Sequence, residues 1–164
     1  MSYGDVYLKD QPISGASTET WTVQAGAYTI LPGEPVKQFL PAGSTVVKVT
    51  EGEGVIGSST LVGIAIKTST QTSGSNGYVI VHLFNPLEVY AVKATSSTAV
   101  DTQAEIDALR GKALTFKATA TSTGTAYTVN TASTVVAGAG LIVTGGNPNT
   151  GEIYFRVRNA VTPW

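Results

Sequence analysis

Residues 61–94, LVGIAIKTSTQTSGSNGYVIVHLFNPLEVYAVKA, carry the reading that decides the fold. Three runs rich in Val, Ile, Tyr and Ala are separated by TSTQTSGSNG and by Asn85-Pro86, the pattern of three consecutive strands. Side chains of a strand alternate faces, so within residues 78–84 Val79, Val81 and Leu83 share one side and Tyr78, Ile80 and His82 the other. Both sides are mostly apolar. A strand of this kind belongs inside a sandwich or barrel or at an oligomer interface, and Tyr78, Ile80 and His82 become the candidate subunit-interface residues. The intervening residues 68–77 are small and polar and long for a hairpin, so a projecting, mobile surface loop is expected there.

The same punctuation extends outward on both sides. Upstream, WTVQA, YTIL, PVKQF and STVVKVT are interrupted by Gly26, Pro32-Gly33 and Pro41-Ala42-Gly43, an all-β meander with turn residues every few positions. Downstream, residues 101–111 break the pattern and predict a helix over about 102–110. Thr102 and Glu105 form a capping box, Ala104, Ile106 and Leu109 supply an apolar face, and Gly111 is placed to end it. Strands then resume as ALTFKAT, AYTVN, GLIVTG and EIYFRVR, the last two joined by the turn chemistry of residues 145–151. Ile153, Phe155 and Val157 alternate with Tyr154, Arg156 and Arg158, as in a half-buried strand.

The expected fold class is therefore mainly β, a small barrel or sandwich with one short helix, over residues 21–164, with a possible added C-terminal lobe from about residue 101. Residues 1–20 precede it as an extended arm. Its alternating patch, with Tyr3, Val6, Tyr7 and Leu8, is either a frayed terminus or a strand that pairs with a neighbouring chain, Val6 and Leu8 facing the partner.

Composition narrows the function. Charged residues make up only 13% of the 164, and the net charge of -1 offers no basic field for phosphates, so nucleic acid is not expected as a partner. A surface poor in charge and rich in Thr, Ser and Gly suits contact with other protein. There is no cysteine, hence no disulfide framework and no thiolate metal site. The first residues lack the basic and apolar regions of a signal peptide, and no segment approaches a membrane span, which leads us to expect a chain made and kept in a cytoplasm unless it leaves inside a particle.

Signs of chemistry are sparse. Gly52-x-Gly54-x-x-Gly57 matches a dinucleotide-binding pattern, but LVGIAIK after it is strand-like, and the fingerprint needs a helix to receive the pyrophosphate. The single histidine, His82, stands mid-strand with no second histidine to complete a metal site, so no cofactor and no metal are expected. No G-x-S-x-G elbow is present. Among the eleven acidic residues a glycosidase pair remains formally open, though Glu51, Glu53, Glu88 and Glu152 each sit at a turn or strand edge and are expected to be solvated.

AGAYTILPGEPVKQ (residues 25–38), LVGIAIK (61–67) and GYVIVHLFNPLEVYAVKA (77–94) together resemble the head decoration, or capsid cement, proteins of tailed bacteriophages. The resemblance implies a small β-barrel or β-tulip-like domain that is not an enzyme. It also implies a homotrimer on the outside of the virion head and an N-terminal arm, with Tyr3, Val6, Tyr7 and Leu8, reaching onto the major capsid protein. Residues 101–164 exceed what the smallest members of that family carry. A carbohydrate- or receptor-binding β-sandwich, such as a head-fibre base, is the competing reading, and a glycan hydrolase a third.

Overall fold

The computed structural model describes residues 6–10, 17–39, 45–49, 61–121, 124–131 and 140–157. Its elements in chain order are β1 (Tyr7–Asp10), β2 (Thr18–Val23), β3 (Thr29–Ile30), β4 (Pro35–Gln38), β5 (Thr45–Lys48), β6 (Leu61–Ala65), β7 (Ser69–Thr70), β8 (Gly77–Leu83) and β9 (Val89–Lys93). A 3-10 turn (Ser97–Ala99) and helix α1 (Gln103–Leu109) follow, then β10 (Ala113–Leu114), β11 (Phe116–Thr121), β12 (Gly124–Val129), β13 (Leu141–Asn147) and β14 (Glu152–Val157). The Gly52–Gly57 pattern lies outside the described residues, as do Tyr3, Glu51, Glu53 and Arg158.

Five strands close into a barrel in the order β2-β5-β4-β6-β8, antiparallel except for the parallel β2–β5 pair. A barrel of so few strands is narrow, and its interior is filled by side chains. Compact residues do the filling here: Val23, Val36, Val46, Val62, Ala65, Val79 and Val81, with Ile30 and Leu83, Trp21 and Tyr28 packing against them. A second antiparallel sheet, β1-β9-β14-β13-β10, packs its inner face on the outside of the barrel. Leu61, Ile64 and Phe84 of the barrel share that core with Tyr90, Val92, Ile153 and Phe155 of the sheet.

Strand β6 lies in both cores, which explains why all five of its residues are buried. Val62 and Ala65 point into the barrel, while Leu61 and Ile64 point at the second sheet. The phase changes because β4 pairs Val36 with Gly63 but Lys37 with Leu61, leaving Val62 as the extra residue of a bulge. Gly63 is required at this point: a Cβ there would lie 2.0 Å from the His82 carbonyl oxygen.

Helix α1 seals one flank of the second core. Thr102 and Glu105 form the expected capping box, Ile106 and Leu109 are buried, and Gly111 adopts φ 74° just beyond the end. The helix stands where it was expected, with Thr102 and Arg110 as its caps, but Ala104, expected on its apolar face, is exposed. The hairpin of β11 and β12 is tied to the barrel by the buried Glu34. This carboxylate accepts from the Leu31 amide at 2.8 Å, the Thr125 amide at 3.2 Å and Lys48 Nζ at 2.9 Å. The Tyr127 hydroxyl adds a bond to the Val49 carbonyl at 2.9 Å.

Three expectations are corrected. Residues 68–77 do not simply project: β7 pairs with β3, and Ser69 and Gln71 are buried. Strand β2 begins at Thr18, inside the expected arm, and β1 pairs with β9 of its own chain, so the described arm is not unpaired. Val6 does not face a partner chain but is 1% exposed in this chain's second core, because the antiparallel pairing of β1 carries it under the sheet.

Candidate functional site

The outer side of β8 is graded along its length. Tyr78 is 70% exposed, Ile80 is half-buried and His82 is buried. Across from them on β2 stand Thr22, Thr20 and Thr18, their register partners. On the other side the Ile66 amide donates to the Ile80 carbonyl at 2.9 Å, so Ile66, 44% exposed, lies opposite Ile80 on the same face. The result is an uncharged face of Tyr78, Ile80, Ile66, Thr20 and Thr22 on a closed barrel that has no free edge to deform. Of the three interface candidates, Tyr78 and Ile80 belong to this face and His82 does not.

His82 is withdrawn into a polar network under the β8–β9 turn. Its Nε2 lies 3.0 Å from Glu88 Oε2, and the Tyr90 hydroxyl donates to the same oxygen. The Asn85 amide donates to the Tyr90 oxygen at 2.9 Å, and the Glu88 amide to the Asn85 carbonyl at 3.0 Å. Burial, followed by the hydrogen bond to Glu88, pushes the Tyr90 phenol far above its ordinary range, so it remains a proton donor. The network fixes the turn that lifts Leu87, 53% exposed, into solvent. It also anchors an aromatic series through the second core, from Phe84 and Tyr90 at 4.9 Å to Phe155 and on to Phe116 and Tyr127. Glu88 is thus not the solvated turn carboxylate expected from sequence.

The arm candidates divide three ways. Tyr3 lies outside the described residues, and Leu8 is the register partner of Tyr90. Tyr7 stands on the outer face of the second sheet. Partial burial, then a hydrogen bond with Glu152, pushes its phenol up to about 12. Beside it, Lys9 sits over the Tyr154 ring, 5.5 Å from its centroid.

The remaining carboxylates near α1 are accounted for by the helix. Asp107 is held below its usual range by Arg110, whose Nε donates to it at 2.8 Å, and Glu105 by the Thr102 hydroxyl and amide. Asp101 moves up because it shares a hydrogen bond with Glu105. Among the described residues no group of three His, Cys, Asp or Glu side chains is placed to hold a metal, and no helix is long and apolar enough to cross a membrane.

Sequence reasoning passed over Glu34 and the Glu88–Tyr90 pair. The latter had a signal: Glu88, the residue before β9, and Tyr90 are two residues apart and so fall on one side of the extended chain, which the Asn85-Pro86 turn folds back toward His82. No family model matches the chain, and neither a curated protein nor a solved structure shows significant similarity to it.

Proposed function

We propose that the protein is a virion structural subunit, a capsid decoration or cement protein that binds the outside of an assembled phage head. The observation that carries the reading is the uncharged outer face of Tyr78, Ile80, Ile66, Thr20 and Thr22, presented by a closed barrel. The resemblance of residues 25–38, 61–67 and 77–94 to cement proteins points the same way. Its mechanism is associative: each copy buries a modest face against the major capsid protein and against its homotrimer neighbours, and many weak contacts sum over the shell. No reaction is assigned to the chain. With Val6 committed to the core, attachment falls chiefly to the faces and turns of the β body.

The test combines sedimentation velocity with co-sedimentation on emptied phage heads. The expected results are a trimer and saturable shell binding, both lost in the double variant Tyr78→Asp, Ile80→Asp while its circular dichroism stays unchanged. A monomer that ignores shells, or a double variant that binds as well as the parent, overturns the proposal. Binding to a glycan panel in place of shells would favour the receptor-binding reading.

A further inference from the structure

The second sheet carries a cleft that the functional reading does not use. It lies between the β8–β9 turn and the end of α1, lined by Pro86, Gly111, Ile142, Thr144, Arg156 and Val157. Ile142 and Arg156 are register partners on β13 and β14, on the face turned away from the barrel. Arg156 is exposed and has no hydrogen-bond or ion-pair partner among the described residues. A second guanidinium stands at the rim, where Arg110 donates through Nη1 to the Thr144 carbonyl, its own charge met by Asp107. The exposed Lys112 follows Gly111 in the chain. The rim therefore keeps the unmatched positive charge of Arg156, while Pro86, Ile142 and Val157 supply apolar wall.

We propose that this cleft docks an acidic, apolar segment of a protein partner, an Asp or Glu meeting Arg156 while a neighbouring aliphatic side chain packs on Ile142 and Pro86. The charge of the rim calls for an anion, and a planar guanidinium suits a carboxylate. The details favour peptide over nucleic acid. Among the described residues no aromatic ring lines the cleft for a base to stack on, and Tyr154 on that sheet face is already covered by Lys9. The Gly111 amide is spent on the Val143 carbonyl at 2.9 Å and is not free to cradle a phosphate. This site is separate from the Tyr78 face and does not depend on which assembly the partner belongs to.

The experiment uses the full chain, isotope-labelled for amide NMR. It is titrated with a short peptide alternating Asp and Leu, a Lys and Leu control, and an oligothymidylate of matched length. The Asp-Leu peptide is expected to perturb the amides of Gly111, Ile142, Thr144 and Arg156, and the Arg156→Glu variant to weaken it by about tenfold or more with an unchanged melting temperature. The Lys-Leu control is expected to leave these signals in place. The proposal is overturned if the shifts cluster elsewhere, if R156E binds equally well, or if the oligothymidylate binds the cleft more tightly. A concentration-dependent self-association that R156E abolishes would assign the cleft to a second copy and likewise overturn it.

Discussion

Tyr90→Phe removes one oxygen and leaves the ring in place, so it isolates the polar network from the packing around it. The lost hydroxyl gives a hydrogen bond to the Glu88 carboxylate and receives one from the Asn85 amide. A bond to a charged group contributes about 1.5–3 kcal/mol and an ordinary one about 0.5–1.5 kcal/mol. Asn85 is exposed, so water replaces much of the second bond, and the expected loss is about 2–4 kcal/mol. With a urea slope of roughly 1–3 kcal/mol/M for a small protein, the unfolding midpoint falls by on the order of 1–2 M at constant slope. The phenol also predicts a pH signature. Its folded pKa is raised, so the folded state keeps a proton that the unfolded state releases above about pH 10. That stability is present in full below pH 10 and declines as pH rises toward the folded value, by about 1.4 kcal/mol per pH unit. The variant is expected to show a shallower alkaline decline between about pH 10 and 12. Tyr7, more exposed, contributes a smaller share of the same sign. An unchanged urea midpoint, or an alkaline decline as steep as the parent's, would refute the reasoning.

Three further perturbations test the architecture. Gly63→Ala forces a methyl to within 2.0 Å of the His82 carbonyl, an overpacking expected to cost about 3 kcal/mol or more; a thermal melt equal to the parent's would disprove the close approach of β6 to the β8 backbone. Val6→Ala removes two buried carbons, an expected loss of about 1.5–2.5 kcal/mol in urea unfolding, whereas a freely extended arm would give no loss. Glu34→Ala leaves Lys48 and the Thr125 amide without their carboxylate and is expected to cost about 3 kcal/mol. Hydrogen exchange should then quicken first in β12, and uniform quickening would count against Glu34 as the link between hairpin and barrel.

Local chemistry fixed much of this molecule without any knowledge of its neighbours. Alternation in β8 and β14 and the capping box of Thr102 and Glu105 follow from interactions within a few residues and stand where they were expected, while the turn expected over residues 145–151 narrows to 148–151 because β13 runs on to Asn147. Strand β6 differs. Its five buried residues read only as an apolar run, since the two faces serve two cores and a bulge shifts the phase between them, and both facts depend on strands far away in sequence. The ends of β8 illustrate the same limit. Tyr78 and His82 share a face by periodicity, yet one is exposed and the other buried, because the second sheet and the β8–β9 turn cover only the distal end.

The sequence by itself therefore determined the class of structure, the place of most of the described strands, the helix after Thr102 and the scarcity of chemical groups, since these rest on period, propensity and composition. Only the tertiary structure decided that five strands close on themselves while five others form a sheet against them. It likewise placed Val6 in the core and brought Pro86, Gly111 and Arg156 together at one cleft. Those outcomes depend on pairings between residues distant in the chain, and side-chain alternation, which names a face, does not say what covers it.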